Sequence, residues 1–262
     1  MNDSLLNASI SFIREHAPVS PRIALILGSG LCDFSDNLPN RTSIPTSDIP
    51  HYPVSTVEGH KGKLVFAMLN EKPLLAFQGR VHFYETRDLE KVLYPIHVAH
   101  KLGIRTLITT NAAGGINRTF LPGDLMIIMD QINFTFERRA STKPSLRQIY
   151  SADLIAKAEA AARMSGIQVK RGVYVGLKGP SYETASEIEM LTRIGGDAVG
   201  MSTVFESSVA SSLGMDVLGI SCITNLATGI SPTKLSHQEV TEVGSRVKQT
   251  FATLVASTIS LL

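Results

Sequence analysis

Residues 23–31 read IALILGSGL, and this stretch sets how the chain begins to fold. Five apolar residues predict a buried strand that runs into Gly28, Ser29 and Gly30. Such a turn is half of a dinucleotide-binding fingerprint, which requires a third glycine three residues further on. Asp33 occupies that position, so the stretch does not favour NAD binding. A tight turn of small residues is an alternative, and an anion site at a helix start, with a hydroxyl and backbone N–H groups, fits better.

The composition predicts a globular chain without a strong charge. The sequence has 262 residues, of which 44% are hydrophobic, and this is enough for a sizeable core. A net charge of +2 gives no basic field of the kind that nucleic-acid binding requires. The two cysteines, Cys32 and Cys222, do not make a disulfide framework. No apolar run suggests a membrane span, and the N-terminus predicts an amphipathic helix rather than a signal peptide. We therefore expect a cytoplasmic protein.

Short apolar runs alternate with amphipathic segments along the chain. This alternation predicts an α/β fold with a largely parallel or mixed central sheet, in one domain spanning residues 1–262. The expected strands are 22–27, 63–69, 73–78, 105–110, 124–130, 169–177, 197–199 and 216–224, and the expected helices are 88–103, 151–166, 184–195 and the segment from Ser236 onward.

Glycine, hydroxyl, Arg, His, Glu and Asn residues concentrate just after the predicted strands. In open α/β sheets ligands bind beyond the carboxyl ends of the strands, so these segments form the candidate site. Arg80 and His82 alternate along an extended stretch, which lets both side chains face one pocket. The expected loop 111–115 is built of small residues whose N–H groups can approach a ligand closely. With the hydroxyls of Ser29 and Ser202, these groups predict a site for free phosphate, since no P-loop lysine motif is present.

Eight motifs occur in the order and spacing of a known family. They read LILGSGL, GHKGKL, GRVHFYE, TTNAAGG, GDLMII, KGPSYETASEI, GDAVGMSTVFE and ITNLATG. On these motifs the chain resembles the trimeric purine nucleoside phosphorylases. The resemblance implies a single domain with a central mixed, partly barrel-like β-sheet flanked by helices. It also implies a homotrimer that acts in purine salvage, cleaving purine nucleosides with inorganic phosphate to free base and (deoxy)ribose 1-phosphate. No metal or organic cofactor is expected.

The same resemblance implies roles for individual residues. The expected phosphate ligands are Ser29, His60, Arg80, His82, the backbone N–H of Ala112, and Ser202, with His60 at the mouth of the site. The expected purine contacts are Tyr182, Glu183, Val199, Gly200 and Asn225, and the expected ribose contacts are Tyr84, Met201 and His237. The bound phosphate is itself the nucleophile, so no side-chain nucleophile is needed. The expected catalytic residues are therefore groups that hold phosphate or the leaving base, namely Asn225, Glu183 and His82.

Two of these residues set the expected substrate class. By resemblance, Glu183 accepts a hydrogen bond from the purine N1–H, and Asn225 bonds N7 and O6 of the leaving base. Adenine carries no proton on N1 and would leave the carboxylate unpaired, so a 6-oxopurine is favoured. The related methylthioadenosine phosphorylases have Asp at the position of Asn225. The alternatives are a methylthioadenosine or broad-specificity phosphorylase, and a non-catalytic nucleoside- or phosphate-binding protein.

Simpler interpretations compete at several positions. Glu183 could instead be an acid at a helix start, and Asn225 a turn residue after a strand. Arg80 could be a surface cation, and His237 could belong to a helix cap. His97 and His100 have the spacing of neighbours on a helix, but no third ligand accompanies them, and a metal site is not favoured.

The stretch 134–150 departs from the family pattern. Relatives usually carry a longer loop there, with a Phe that reaches into the neighbouring subunit's site, and often have His where this chain has Gln131. Here the stretch is short and charged, with Phe136 and Tyr150 as candidate aromatics. The departure bears on closure of the site across the subunit boundary more than on the reaction.

Overall fold

A mixed sheet organises the molecule. The computed structural model describes residues 2–17, 19–28, 31–57, 60–137, 148–231 and 237–262, apart from the side chains of Cys32 and residues 237–241. The strands are β1 (Ile23–Leu27), β2 (Thr42–Pro45), β3 (Lys63–Leu69), β4 (Lys72–Gln78), β5 (Thr106–Gly115), β6 (Leu125–Asn133), β7 (Val169–Gly176), β8 (Ala198–Gly200) and β9 (Asp216–Leu226). Within the described residues these nine strands have the order β2-β3-β4-β1-β5-β8-β7-β6-β9. The predicted α/β class with a mixed sheet is confirmed.

Helices flank this sheet. They are α1 (Asp3–His16), α2 (Phe83–Thr86), α3 (Leu89–Lys101), α4 (Ala152–Met164), α5 (Ala185–Arg193), α6 (Val204–Ser212) and α7 (His237–Ser260). Side chains at the starts of α1, α3, α4 and α5 accept hydrogen bonds from backbone N–H groups of the first turn, and these caps are Asn2, Asp88, Ser151 and Thr184. In α7 the buried residues Val243, Val247, Phe251, Leu254 and Val255 recur at helical spacing, as the sequence predicted. No helix in the described part of the chain is long and apolar enough to cross a membrane.

Five strands close into a barrel around β5. β5 pairs with β9 along its whole length, and β9 pairs in turn with β6. β6 pairs with β7, β7 with β8, and β8 returns to the end of β5. The partly barrel-like sheet that the resemblance implies is therefore confirmed.

The edge of β5 that does not face β9 changes neighbours part-way along the strand. β1 pairs with this edge up to Thr109, and β8 pairs with it from Gly114 onward. Residues 110–113 lie between the two pairings. A sheet that changes neighbours in this way opens a crevice at the carboxyl ends of its strands, which is where α/β proteins bind ligands.

Two predicted boundaries are wrong, and pairing with the neighbouring strand explains both. The segment 111–115, predicted as a loop, is the last half of β5, because each of its residues pairs with β9. β9 likewise continues past residue 224 and includes Asn225, which is therefore a strand residue and not a turn residue. Small residues and glycine weaken strand propensity, but tertiary pairing overrides it here. The elements β2, α2 and α6 were not predicted.

The segment that follows β1 also differs from the expected helix. Residues Cys32–Asn37 form a short 3₁₀ helix, so the dipole of a full α-helix is not available at this turn. Asp33, which interrupts the dinucleotide fingerprint, contacts Lys61 at 2.6 Å and Lys248 at 2.7 Å. These hydrogen bonds lower the pKa of Asp33 to about 2. The aspartate thus links the 3₁₀ helix to the segment before β3 and to α7.

Candidate active site

A cavity lies at the crevice beside β5. It encloses about 150 Å³, which is more than a single water molecule needs. Its walls come from Gly28 after β1, the segment after β4, the end of β5, the end of β8 and the end of β9. These are the strand ends at which the sequence analysis placed the candidate residues.

Arg80 is fixed in the cavity wall by three hydrogen bonds. The residue is only 6% exposed, so the alternative of a surface cation is wrong. Its Nη1 donates to Glu206 Oε1 and to Thr203 Oγ1, both at 3.2 Å, and its Nη2 donates to the carbonyl of Thr110. A guanidinium has five N–H donors, and two therefore remain beyond these three bonds for an anion in the cavity.

The edge of β5 presents backbone groups to the same place. The Thr110 carbonyl faces Arg80, and alternation along a strand points the N–H of Ala112 to that edge as well. A side chain on Gly28 would lie 2.8 Å from Asn111 Cα and from Thr110 O, which is closer than real contacts allow. The absence of a side chain lets β1 end against β5, and Gly28 N donates to Thr110 Oγ1 at 3.1 Å.

Three aromatic rings stack beside the cavity, and two of them, His82 and Tyr84, line it. The ring centroids of His60 and His82 are 5.3 Å apart, and those of His82 and Tyr84 are 5.0 Å apart. His60 Nδ1 lies 2.9 Å from the carbonyl of Arg80 and 3.3 Å from the backbone nitrogen of the same residue, so the ring is held against the Arg80 backbone. Burial, together with the charge of Arg80 and the neighbouring His82, lowers the pKa of His60 to about 4. His60 is therefore neutral near neutral pH.

Glu85 holds the ring of His82 in place. Its Oε1 accepts from His82 Nδ1 at 3.3 Å, and its Oε2 accepts from the hydroxyls of Thr56 at 2.9 Å and Ser55 at 3.1 Å. Burial opposes ionisation of this carboxyl, but the hydrogen bonds from His82 and Thr56 outweigh burial and lower the pKa of Glu85 to about 2. A permanent carboxylate on Nδ1 leaves the other nitrogen of His82 for a ligand.

The cavity lining also contains an amide and a carboxyl. Asn225 is 6% exposed, and its Oδ1 accepts from Thr224 Oγ1 at 2.9 Å. Its Nδ2 donates to Leu226 O at 3.2 Å and keeps a second N–H. Burial raises the pKa of Glu183, and the charge of Glu187 adds to the shift. The pair offers an acceptor and a donor, as a base with both kinds of group requires.

Tyr84 and Met201 form a further part of the cavity wall. Both line the cavity, and both pack against Gly179, where a side chain would lie 2.4 Å from Met201 Sδ and 3.0 Å from Tyr84 Cδ1. Burial raises the pKa of Tyr84 to about 12, so its hydroxyl stays a neutral donor. This part of the wall therefore combines an apolar surface with a hydroxyl, which suits a sugar.

Comparison with known proteins agrees with this geometry. Residues 22–260 match the Phosphorylase superfamily. A Bacillus subtilis protein named purine nucleoside phosphorylase 1 is 46% identical, with 99% of each chain covered. The purine nucleoside phosphorylase of Mus musculus is 39% identical over 94% of this chain and 90% of its own. The chain belongs to the purine nucleoside phosphorylase family. It is an enzyme of that family, as the resemblance implied.

Solved structures of the family share the fold over the whole chain. A Schistosoma mansoni purine nucleoside phosphorylase in complex with inosine superposes with a TM-score of 0.92, at 32% identity, covering 100% of this chain and 97% of that one. A second structure of the Schistosoma mansoni enzyme, in complex with adenosine, has the same TM-score and identity and covers 98% of that chain.

Most residues expected from the family motifs do meet in one cavity. Those that line it are Arg80, His82, Tyr84, Ala112, Tyr182, Glu183, Val199, Gly200, Met201, Ser202 and Asn225. His60 stands behind His82, half-buried, and not at the mouth of the site as expected, because its Nδ1 is bound to the Arg80 backbone. Ser29, Gly30 and the side chain of His237 lie outside the described residues.

Four further residues of the site were missed from the sequence. Asn111 lines the cavity and donates from Nδ2 to Thr203 Oγ1 at 2.9 Å. Glu206 and Thr203 hold Arg80, and Glu85 holds His82. The spacing of Glu85 three residues after His82 is a local signal for this last contact. The contacts to Arg80 span more than 120 residues, and no local pattern indicates them.

Other expectations also changed with the structure. Tyr150 is 2% exposed and donates to Gln131 Oε1 at 2.8 Å, so it belongs to the core and cannot reach a neighbouring subunit. Thr184 and Glu187 form the cap of α5, which removes the helix-start alternative for Glu183. In the described part of the chain, no group of three or more His, Cys, Asp or Glu residues is placed to hold a metal ion.

Proposed function

We propose that the chain cleaves 6-oxopurine nucleosides, such as inosine and guanosine, with inorganic phosphate. The observation that carries this is that one cavity is lined both by anion donors, Arg80 and His82, and by Glu183 and Asn225, the pair expected to contact the purine. Solved relatives include complexes with inosine and with guanosine, which supports a purine nucleoside as the ligand.

The phosphate end supplies the nucleophile. Arg80, His82, Ser202 and the N–H of Ala112 hold the dianion, and Ser29 adds a hydroxyl after β1. A phosphate oxygen attacks C1′ of the ribose as the C1′–N9 bond breaks. By analogy with glycoside cleavage, positive charge develops on the sugar in the transition state, and the adjacent dianion stabilises it. His60 supports this end by fixing the Arg80 backbone.

The purine end receives the electron pair of the broken bond. Negative charge spreads over the leaving base toward N7 and O6, and the second N–H of Asn225 donates there. Thr224 already satisfies the amide oxygen, so the amide presents its donor to the base. Tyr182 lies on the face of the purine, and Val199 and Gly200 line its edge. Tyr84, Met201 and His237 complete the ribose site.

Glu183 selects the base in this proposal. Its carboxylate accepts from the N1–H that hypoxanthine and guanine carry and adenine lacks. A Schistosoma mansoni relative has been solved in complex with adenosine, so binding of a nucleoside does not by itself establish the base preference. Turnover of each nucleoside is therefore measured separately from its binding. The methylthioadenosine or broad-specificity phosphorylase is therefore kept as the second candidate.

The experiment follows release of free base from four nucleosides. The protein is incubated with inosine, guanosine, adenosine or 5′-methylthioadenosine, with and without phosphate, and bases are separated by chromatography. We expect phosphate-dependent release from the first two. Strong release from methylthioadenosine supports the second candidate, and binding without release supports a non-catalytic protein. Loss of inosine cleavage in Glu183→Ala, by about 100-fold or more in kcat/KM, ties the activity to this site.

The proposal includes three further expectations. The reaction needs no cofactor, because phosphate is both co-substrate and nucleophile. The chain forms a homotrimer, as the family resemblance implies. It acts in purine salvage in the cytoplasm.

A further inference from the structure

A buried carboxylate lies behind the phosphate end of the cavity. Glu206, in the first turn of α6, contacts Arg80 Nη1 at 3.2 Å through Oε1, and both side chains are 4% exposed. Its other oxygen, Oε2, is buried without a hydrogen-bond partner among the described residues. Nothing in the proposed reaction uses this carboxylate directly.

The surroundings of Glu206 indicate a role for its charge. A buried carboxylate oxygen without a donor is costly, and a neutral group of similar shape would avoid this cost. Arg80 cannot lose its proton, and its charge needs a partner when it is removed from water. One carboxylate beside one guanidinium makes the pair neutral. We infer that the negative charge of Glu206 offsets the cost of leaving its Oε2 without a hydrogen-bond donor.

The neutral pair has a consequence for anion binding. A phosphate that binds Arg80 brings a second and a third negative charge close to Glu206, and because the Arg80 and Glu206 side chains are both buried, solvent screens these charges weakly. Thr203 connects the two sides, since its Oγ1 accepts from Arg80 Nη1 at 3.2 Å and lies 3.2 Å from Ser202 Oγ. Glu206 thus acts through Arg80 on a group that is expected to touch phosphate.

We propose that Glu206 is a built-in counter-charge for Arg80. It stabilises the buried guanidinium when phosphate is absent, and it weakens phosphate binding so that the ground state and the sugar phosphate product are not held too tightly. The inference rests on the proposed function of the cavity. Glu206 is a positioning residue, and phosphate affinity is the property that it sets.

The test removes the charge and keeps the shape. Glu206→Gln retains an oxygen for Arg80 Nη1 but carries no charge. Inorganic phosphate is titrated without nucleoside, by calorimetry and by thermal unfolding. We expect the variant to unfold about 5 °C or more below wild type without phosphate. We also expect its phosphate Kd to be about tenfold lower, and its Tm to rise further with phosphate. In turnover of inosine, both KM for phosphate and kcat should fall.

A matched control makes the same change at another ion pair. Glu159 is 13% exposed, pairs with Arg171 and does not line the cavity. Glu159→Gln should leave the phosphate response as in wild type. If Glu206→Gln does not fold alone, recovery of its fold by added phosphate is measured instead. The double variant R80M/E206M should fold without phosphate, because it removes both charges.

The outcomes separate this inference from the proposed function. Equal or weaker phosphate binding by Glu206→Gln overturns the counter-charge. So does a double variant that is no more stable than Glu206→Gln. A wild-type protein that does not respond to phosphate at all contradicts the proposed function itself.

Discussion

Asn225 shows how one amide controls the chemistry of the site. Thr224 donates to its oxygen, and its Nδ2 is left as the donor that faces the cavity wall at Gly114. The role of the residue is therefore decided by a neighbour on the same strand. A carboxylate at this position would present only acceptors to the base.

Asn225→Asp should reverse part of the base preference. The variant loses the donor to O6 and N7 and places a negative charge beside them, whereas the amino group of adenine can donate to a carboxylate. We expect kcat/KM for inosine to fall by about 10- to 100-fold, and the gap to adenosine to narrow. Steady-state kinetics on both nucleosides provide the measurement. Asn70→Asp, at an exposed turn, is the control, and unchanged inosine kinetics would show that Asn225 does not serve the leaving base.

The ionisation of Glu183 should make the activity on inosine depend on pH. Its carboxyl accepts most strongly from N1–H when it is ionised, and burial raises the pKa of Glu183. Activity on inosine should therefore be present above this raised pKa and be lost as pH falls through it, at a higher pH than an ordinary glutamate predicts. Glu183→Gln keeps an acceptor and should lower kcat/KM while removing this acid limb. An identical acid limb in the variant would assign the titration to another group.

The short helix α2 is an element whose stability depends on one carboxylate. Glu85 bridges α2 to residues 55 and 56, and its folded pKa of about 2 lies below the unfolded value of 4.5. A lowered carboxyl pKa contributes stability above the unfolded pKa, and this contribution is lost as pH falls from about 5 toward 2. This contribution is at most about 3 kcal/mol, because the hydrogen bonds from Thr56 are exposed to solvent and stabilise less than buried ones.

Glu85→Gln should therefore flatten the acid-induced loss of stability. We expect urea unfolding to show a destabilised variant at pH 7 and a smaller difference from wild type at pH 3. Glu189→Gln, an exposed ion-pair variant on α5, serves as the control and should track wild type at both values. A constant difference between the two pH values would mean that Glu85 acts through shape alone.

Sequence patterns predicted the elements with strong local signals and missed those set by distant partners. Buried apolar runs such as β1 and β4, and the amphipathic α4, were found close to their observed bounds. The end of β5 was mistaken for a loop, since its small residues have weak strand propensity and gain their conformation from β9. In the same way the motifs placed Arg80 in the site, but Glu206 depends on folding that brings α6 against the sheet.

At the scale of the whole molecule, Phe136 is the most exposed aromatic side chain among the described residues, and it lies within the altered stretch 134–150. Phe136 is 78% exposed, and its ring lies 4.8 Å from Phe134. Of the two candidates, Tyr150 is buried, so Phe136 is the one that we expect to contact a neighbouring subunit. An exposed ring of this kind suits a contact between copies of the chain.

We expect light scattering to give three times the mass of one chain. Phe136→Ala should raise KM for inosine several-fold while kcat changes little, since a contact made equally in ground and transition states affects binding alone. Met164→Ala, which removes another exposed apolar side chain, should leave KM unchanged. A monomeric protein with full activity would contradict the trimer.

The pairing of β5 with both β1 and β9 also affects the order in which the sheet can form while the chain is being synthesised. Its partner β1 precedes it in the chain, but its partner β9 begins at Asp216, about a hundred residues later. A nascent chain that has emerged as far as β8 already contains Arg80, His82 and Glu183, yet nothing closes the barrel against which they are arranged. Contacts between such distant segments form slowly. We therefore expect the cavity to be among the last features to form. A chain that ends before β9 contains these three site residues but lacks the strand that completes the cavity around them.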